Sequence, residues 1–247
     1  MAIGYLHTKG IMHRDLKLEN ILIDESGYLK IIDYGLAKTL PQDNLTRTFC
    51  GTPEYLAPEM VTQQGHDFSV DWWALGILVY EMLIGVTPFY NKERRLLLLK
   101  IRQSRVVFPD KRKYRIDYSD EFTDVVLKLL DKNRETRLGS GANDYEDIIN
   151  HPFFADIDKE ALLRREIEPP LRLPGGANNE FGFDSRGFNM RSNQADLAET
   201  VLPQAKLDNL RKHAGAFDGF ERQGADLSQP GRVPQQAAAT TPQGRRQ

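Results

Sequence analysis

The stretch HRDLKLEN, residues 13–20, sets Asp15 two positions before Lys17 and five before Asn20. Two short β-rich runs follow, NILID and YLKIID, separated by Glu25, Ser26 and Gly27, which is the pattern of a hairpin with a glycine in its turn. With the turn centred near Ser26, facing positions sum to about 53, so Asn20 faces Asp33 across the hairpin. One amide and one carboxylate are too few to cage calcium. They suit magnesium, which keeps its waters and takes further oxygens from substrate phosphates. Simple capping of the strand ends is the alternative for the pair, and spacing alone leaves both readings open.

The surroundings are those of a globular domain. The chain has 247 residues, 40% hydrophobic and 28% charged, with 33 basic against 35 acidic side chains. That balance gives no global field for nucleic acid or an anionic membrane, so charge recognition has to be local. The single cysteine, Cys50, cannot form an internal disulfide, and no charged-then-apolar leader opens the sequence. Both point to a reducing, intracellular setting, taken as cytoplasmic. The most apolar run, SVDWWALGILVYEMLIG, carries Asp71 and Glu81 and is shorter than the roughly 20 residues of a membrane span. It reads as a central helix buried nearly all round.

Residues 1–10 read as the last turns of a helix ended by Gly10, its beginning missing. LLLLK, residues 96–100, belongs to another packed helix. SDEFTDVVLKLLDK places Phe122, Val125, Val126, Leu129 and Leu130 at helical spacing behind a Ser119 cap. Between them, residues 39–61 show no period and contain Pro41, Gly51, Pro53 and Pro58, the pattern of a long, functional loop. Residues 156–222 scatter isolated aromatics over a polar background, as in a strap lying on another surface. Residues 223–247 have almost nothing to bury and are expected to be disordered.

HRDLKLEN fits H-R-D-x-x-x-x-N, IDYG supplies D-x-G, and LAPEM supplies A-P-E beyond the long loop. With these motifs in order, residues 1–155 resemble the eukaryotic protein kinases. TFCGTPEYLAPE, DWWALG and FDGF narrow the resemblance to the AGC group of serine/threonine kinases, and KLEN with DYG is similar to the Akt and atypical protein kinase C branches. The fold this implies is mainly α with a small β-hairpin: the large lobe of a kinase, the small lobe absent, with an AGC-type tail over 156–222.

The resemblance also implies roles. Asp15 accepts or orients the proton of the substrate hydroxyl, Lys17 places positive charge on the transferring phosphate, and Asn20 and Asp33 hold magnesium on ATP. Thr52 bonds near Asp15 and Lys17 in a pattern that fits a serine or threonine acceptor; a plain turn hydroxyl is the alternative. Thr48 matches the activation-loop phosphorylation site, a target for an upstream activating kinase, with Arg14 and Lys38 as the cations that receive the phosphate. Glu19 and Glu81 match positions that pair with an arginine before the acceptor, which implies basic protein substrates. Glu59 and Arg137 resemble a buried ion pair, and Asp71 a carboxylate bracing the catalytic loop. His151 reads as a packed or capping residue, and Cys50, beside Thr48, as inert or redox-sensitive.

Three departures stand out. Tyr34 replaces the usual phenylalanine of the D-x-G motif. Phe217 and Phe220 match a motif that docks on a small lobe, but Glu221 and Arg222 stand where a phosphorylatable residue and an aromatic are common. The glycine-rich loop, the strand lysine and its glutamate are not in the sequence, so weak ATP binding is expected. Two readings follow: a kinase whose small lobe is missing from this chain, or a non-catalytic large lobe that binds substrates or, through Phe217 and Phe220, another kinase.

Overall fold

A computed structural model describes residues 1–24, 26–40 and 45–170. They all belong to the first of two compact units, Met1–Gly215; the second, Ala216–Gln247, lies outside the described residues, as do Phe217, Phe220 and residues 223–247. The chain runs through helix α1 (Ala2–Thr8), strand β1 (Ile11–Met12), strands β2 (Ile21–Ile23) and β3 (Leu29–Ile31), strand β4 (Lys38–Thr39) and helix α2 (Pro58–Val61). Helices α3 (Ser69–Ile84), α4 (Arg94–Gln103), α5 (Lys111–Tyr114), α6 (Asp120–Leu129), α7 (Tyr145–Ile149) and α8 (Lys159–Leu163) follow. The regular elements among the described residues are thus mainly helical, as the sequence predicts.

The apolar run becomes α3, and it is buried on nearly every side: Val70, Trp72, Trp73, Ala74, Ile77, Leu78 and Tyr80 are all in the core. Its partner is α6, capped by Ser119 Oγ accepting from Phe122 N at 3.1 Å, with Phe122, Val125, Val126 and Leu129 turned inward. The two helices approach so closely that a Cβ on Gly76 would lie 2.8 Å from Leu129 Cβ. The LLLLK run lies in α4, its leucines buried. No helix among the described residues is long and apolar enough to cross a membrane.

The hairpin forms, with one correction. Ile21 pairs with Ile31 and Ile23 with Leu29, a register one position shorter than the spacing predicts. Asn20 therefore faces Ile32, whose amide donates to Asn20 O at 2.9 Å, and Asp33 is the next residue along. The bend is centred on Ser26 and closed by Asp24, whose Oδ1 accepts from both Ser26 N and Tyr28 N at 3.0 Å and whose carbonyl accepts from Gly27 N at 2.8 Å.

The described residues among 39–61 are also more structured than a loop. β4 pairs antiparallel with β1, and Thr46 forms an isolated bridge with His66. Pro53–Tyr55 make a 3-10 turn before α2. Pairings of one or two residues, closed with partners far away in sequence, carry no period to read. The segment's end is tied to the connection between α6 and α7 by Glu59 and Arg137, whose guanidinium donates to both carboxylate oxygens at 2.7 and 2.9 Å, each residue being buried.

Candidate active site

The loop between β1 and β2 is held from below by one carboxylate. Asp71, on the first turn of α3 and fully buried, accepts from His13 N and Arg14 N, both at 2.8 Å. These bonds fix Arg14 at φ +67 and turn the chain so that Asp15 faces the 3-10 turn of residues 18–20. Asn20 closes that turn, its Nδ2 donating to Asp15 O at 2.8 Å and to Asp15 Oδ2 at 3.2 Å.

Thr52 reaches the same carboxylate from the other side. Its amide and hydroxyl donate to Asp15 Oδ1 at 3.1 and 2.8 Å. Lys17 Nζ lies 3.0 Å from both Asp15 Oδ2 and Thr52 Oγ1. Burial alone would raise the Asp15 pKa, but the bonds from Lys17 and Thr52 and the charge of Lys17 outweigh it and hold the carboxyl below its ordinary value. Asp15 is thus an ionised carboxylate, with Oδ2 on Lys17 and Asn20 and Oδ1 on the amide and hydroxyl of Thr52. The contact needs Gly51: at φ +107, a Cβ there would stand 2.9 Å from Arg14 O.

Asp33 closes the hairpin with its carboxylate exposed, at φ +61, and Oδ1 accepts from Gly35 N at 3.0 Å. The Asn20 Nδ2 group is committed to Asp15, which leaves the amide oxygen as its available ligand atom. Two hard oxygen donors at the end of one hairpin fit a cation that completes its shell with water and phosphate oxygens. The Tyr34 hydroxyl, in a half-exposed side chain, donates to Ile31 O at 3.3 Å, while the ring packs edge-on against His13 at 5.3 Å. The extra hydroxyl of the D-x-G motif is therefore satisfied locally.

Around Thr48, Lys38 Nζ donates to Thr46 Oγ1 at 2.7 Å, and Thr46 Oγ1 stands 3.4 Å from Thr48 Oγ1 on the exposed side. Arg14 turns the other way in part: its Nε donates to Leu36 O at 2.7 Å, leaving a buried Nη1 without a partner among the described residues. Burial pushes the half-buried Cys50 thiol above its ordinary pKa, which disfavours the reactive thiolate.

Glu81, on α3, accepts a short hydrogen bond from the Tyr55 hydroxyl. Its pKa is raised, first by burial and then by the negative charges of Glu19 and Glu54, against the lowering effect of Tyr55. Glu19 itself is exposed. Glu54 was not singled out from sequence, although its place in GTPEY was the available signal.

Sequence reasoning also passed over His7. Its Nε2 lies 3.0 Å from Asp71 Oδ2, and its Nδ1 lies 3.1 Å from both oxygens of Asp144, which also accepts from Trp72 Nε1 at 2.6 Å. His151 caps the turn at Pro152–Phe154 through Phe153 N, as read.

The family model of the protein kinase domain matches residues 1–154. The RAC serine/threonine-protein kinase of Drosophila melanogaster is 43% identical over 172 residues, 69% of this chain and 27% of that protein. The cAMP-dependent protein kinase type 3 of Saccharomyces cerevisiae is 43% identical over 174 residues, 70% of this chain and 42% of its own length. For the ribosomal protein S6 kinase alpha-2 of Homo sapiens the figures are 41% over 186 residues, 74% and 25%. These relatives are serine/threonine kinases of the AGC group, and the chain spans less than half the length of each. With Lys17, Asn20 and Thr52 gathered on Asp15 and the family match running over residues 1–154, the chain belongs to the protein kinase domain family.

Proposed function

We propose that residues 1–155 are the large lobe of an AGC-type serine/threonine kinase, followed by a tail from residue 156, and that the reaction is transfer of the ATP γ-phosphate to serine or threonine in basic protein segments. The observation that carries this is the convergence of Thr52, Lys17 and Asn20 on the Asp15 carboxylate. Asp15, kept ionised, takes the proton of the substrate hydroxyl at Oδ1 or Oδ2. Lys17 keeps a positive charge beside the oxygen that receives the phosphate, and Thr52 holds both side chains in one geometry. Magnesium on Asn20 and Asp33, when bound, supplies charge neutralisation for the phosphates.

The negative charges of Glu19 and Glu54 act on Glu81, and this acidic group supports basic substrates. The exposed Thr48, joined to Lys38 through Thr46, supports phosphorylation by an upstream kinase, with Lys38 and Arg14 receiving the phosphate. Phe217 and Phe220 are assigned to docking on a kinase small lobe, in a cytoplasmic setting.

Calorimetric titration of the 247-residue chain with ATP and magnesium, beside a phosphotransfer assay on an arginine-containing serine peptide, tests the reading. Magnesium-dependent ATP binding lost in Asp33→Ala, and transfer lost in Asp15→Asn, support it. Peptide binding with no magnesium-dependent ATP binding even at millimolar ATP, where a lobe without the glycine-rich loop and strand lysine should still bind weakly, points to a non-catalytic substrate-binding lobe instead.

A further inference from the structure

His66 and Thr46 face each other in an antiparallel bridge, Thr46 N donating to His66 O at 3.0 Å and His66 N to Thr46 O at 2.8 Å. Directly opposed residues of an antiparallel pair carry their side chains on the same face, with Cβ atoms about 5 Å apart. The His66 imidazole therefore shares the face on which Thr46 Oγ1 meets Lys38 Nζ at 2.7 Å and Thr48 Oγ1 at 3.4 Å. His66 is 2% exposed, and its Nε2 has no hydrogen-bond partner among the described residues. Arg14 Nη1 is buried and unpartnered as well. An orphaned imidazole nitrogen and a lysine on the face of an exposed hydroxyl, with the Arg14 charge near enough to act on His66, make an anion site short of its anion.

We propose that His66 is a third, protonatable partner of the phosphate carried by Thr48, neutral beside the free hydroxyl and charged beside the phosphate. This rests on Thr48 being the phosphorylated residue. In the unmodified chain, burial first, then the charges of Arg14 and Lys38, push the imidazole down to about 4, against the opposing charges of Glu59 and Asp67. Those two carboxylates are already answered, Glu59 by Arg137 at 2.7 Å and Asp67 by Arg134 at 3.8 Å. A phosphate brings about −1.5 to −2 charges, enough to cancel Arg14 and Lys38. The imidazole then takes a proton from solvent, and its ring N–H becomes a donor to a phosphate oxygen.

The test is a titration of the histidine Cε1–Hε1 signals in the full chain, with threonine or phosphothreonine at position 48, the His66 signal being identified by its loss in His66→Gln. The expected result is a His66 pKa higher by at least about three units in the phosphorylated chain, a thousandfold in proton affinity, which carries it from about 4 to the neutral range. His66→Gln should also weaken amide-exchange protection of residues 46–51 several-fold in the phosphorylated chain and leave the unmodified chain unchanged. If phosphorylation protects the loop while the His66 titration stays put, the proposal is overturned and Thr48 stands. If phosphorylation leaves the loop unprotected, the Thr48 assignment falls, and this one with it.

Discussion

His7 Nε2 stands 3.0 Å from Asp71 Oδ2, the oxygen that also accepts from His13 N. With its other nitrogen on Asp144, this imidazole has a carboxylate at each end, so only the doubly protonated form satisfies both contacts. Burial works against the charge, but the bonds and charges of Asp144 and Asp71 win and raise the pKa from 6.5 to about 9.

The sign of the pH dependence follows. A folded-state pKa above the unfolded value stabilises fully below about pH 6.5, and the contribution is lost as pH rises through about 9. Its ceiling is on the order of 3 kcal/mol. Urea unfolding from pH 6 to 9.5 should show wild-type stability declining across that window and the His7→Gln chain declining less. Equal slopes would remove the assignment.

Glu59→Ala should destabilise by about 3–5 kcal/mol, because it leaves the Arg137 guanidinium buried without its carboxylate. The double variant Glu59→Ala, Arg137→Met should cost less than Glu59→Ala alone. Chemical denaturation of the three variants checks this, and additive losses would refute it.

Thr52→Val removes the hydroxyl between Asp15 and Lys17 and retains the amide bond at 3.1 Å. The Asp15 pKa, held down partly by that hydroxyl, should move up toward its ordinary value, which carbon-detected NMR of the carboxyl reads directly. Stability carried by this depressed pKa is present above the unfolded value and lost on acidification, so the acid limb of unfolding should shift to higher pH. Thr52→Ser should behave as wild type. Where transfer is measured, Thr52→Val should lose about 10- to 100-fold, a barrier increase of about 1–3 kcal/mol.

Gly51→Ala forces a side chain against Arg14 O at a backbone angle that suits glycine. The strain is about 1–3 kcal/mol. It should appear as faster amide exchange at Thr52 and a loss of the Thr52–Asp15 bond, with α3 and α6 unchanged. An Asp15 titration identical to wild type would count against this contact.

What was legible in the sequence was whatever local spacing encodes. The buried helix α3, the capped helix α6, the hairpin and the order of the three motifs each depend on residues close together in the chain, where period and turn chemistry act. The hairpin register differs by one because the bend is centred on Ser26 itself, so facing positions sum to 52, with Asp24 and Gly27 both closing it. His7 was silent because a histidine at the end of a short helix has no meaning until Asp71 and Asp144 arrive from 64 and 137 residues away.

By itself, then, the sequence determined which chemical groups this protein owns and the order in which they occur: Asp15, Lys17, Asn20, Asp33 and Thr52, with a helical core to carry them. Only the tertiary structure decided their partners. It put Thr52 on Asp15, Asp71 under the loop, and His66 on the face of Thr46. Hydrogen bonds and charges act over a few ångströms of space, and the chain alone does not say which distant residues share it.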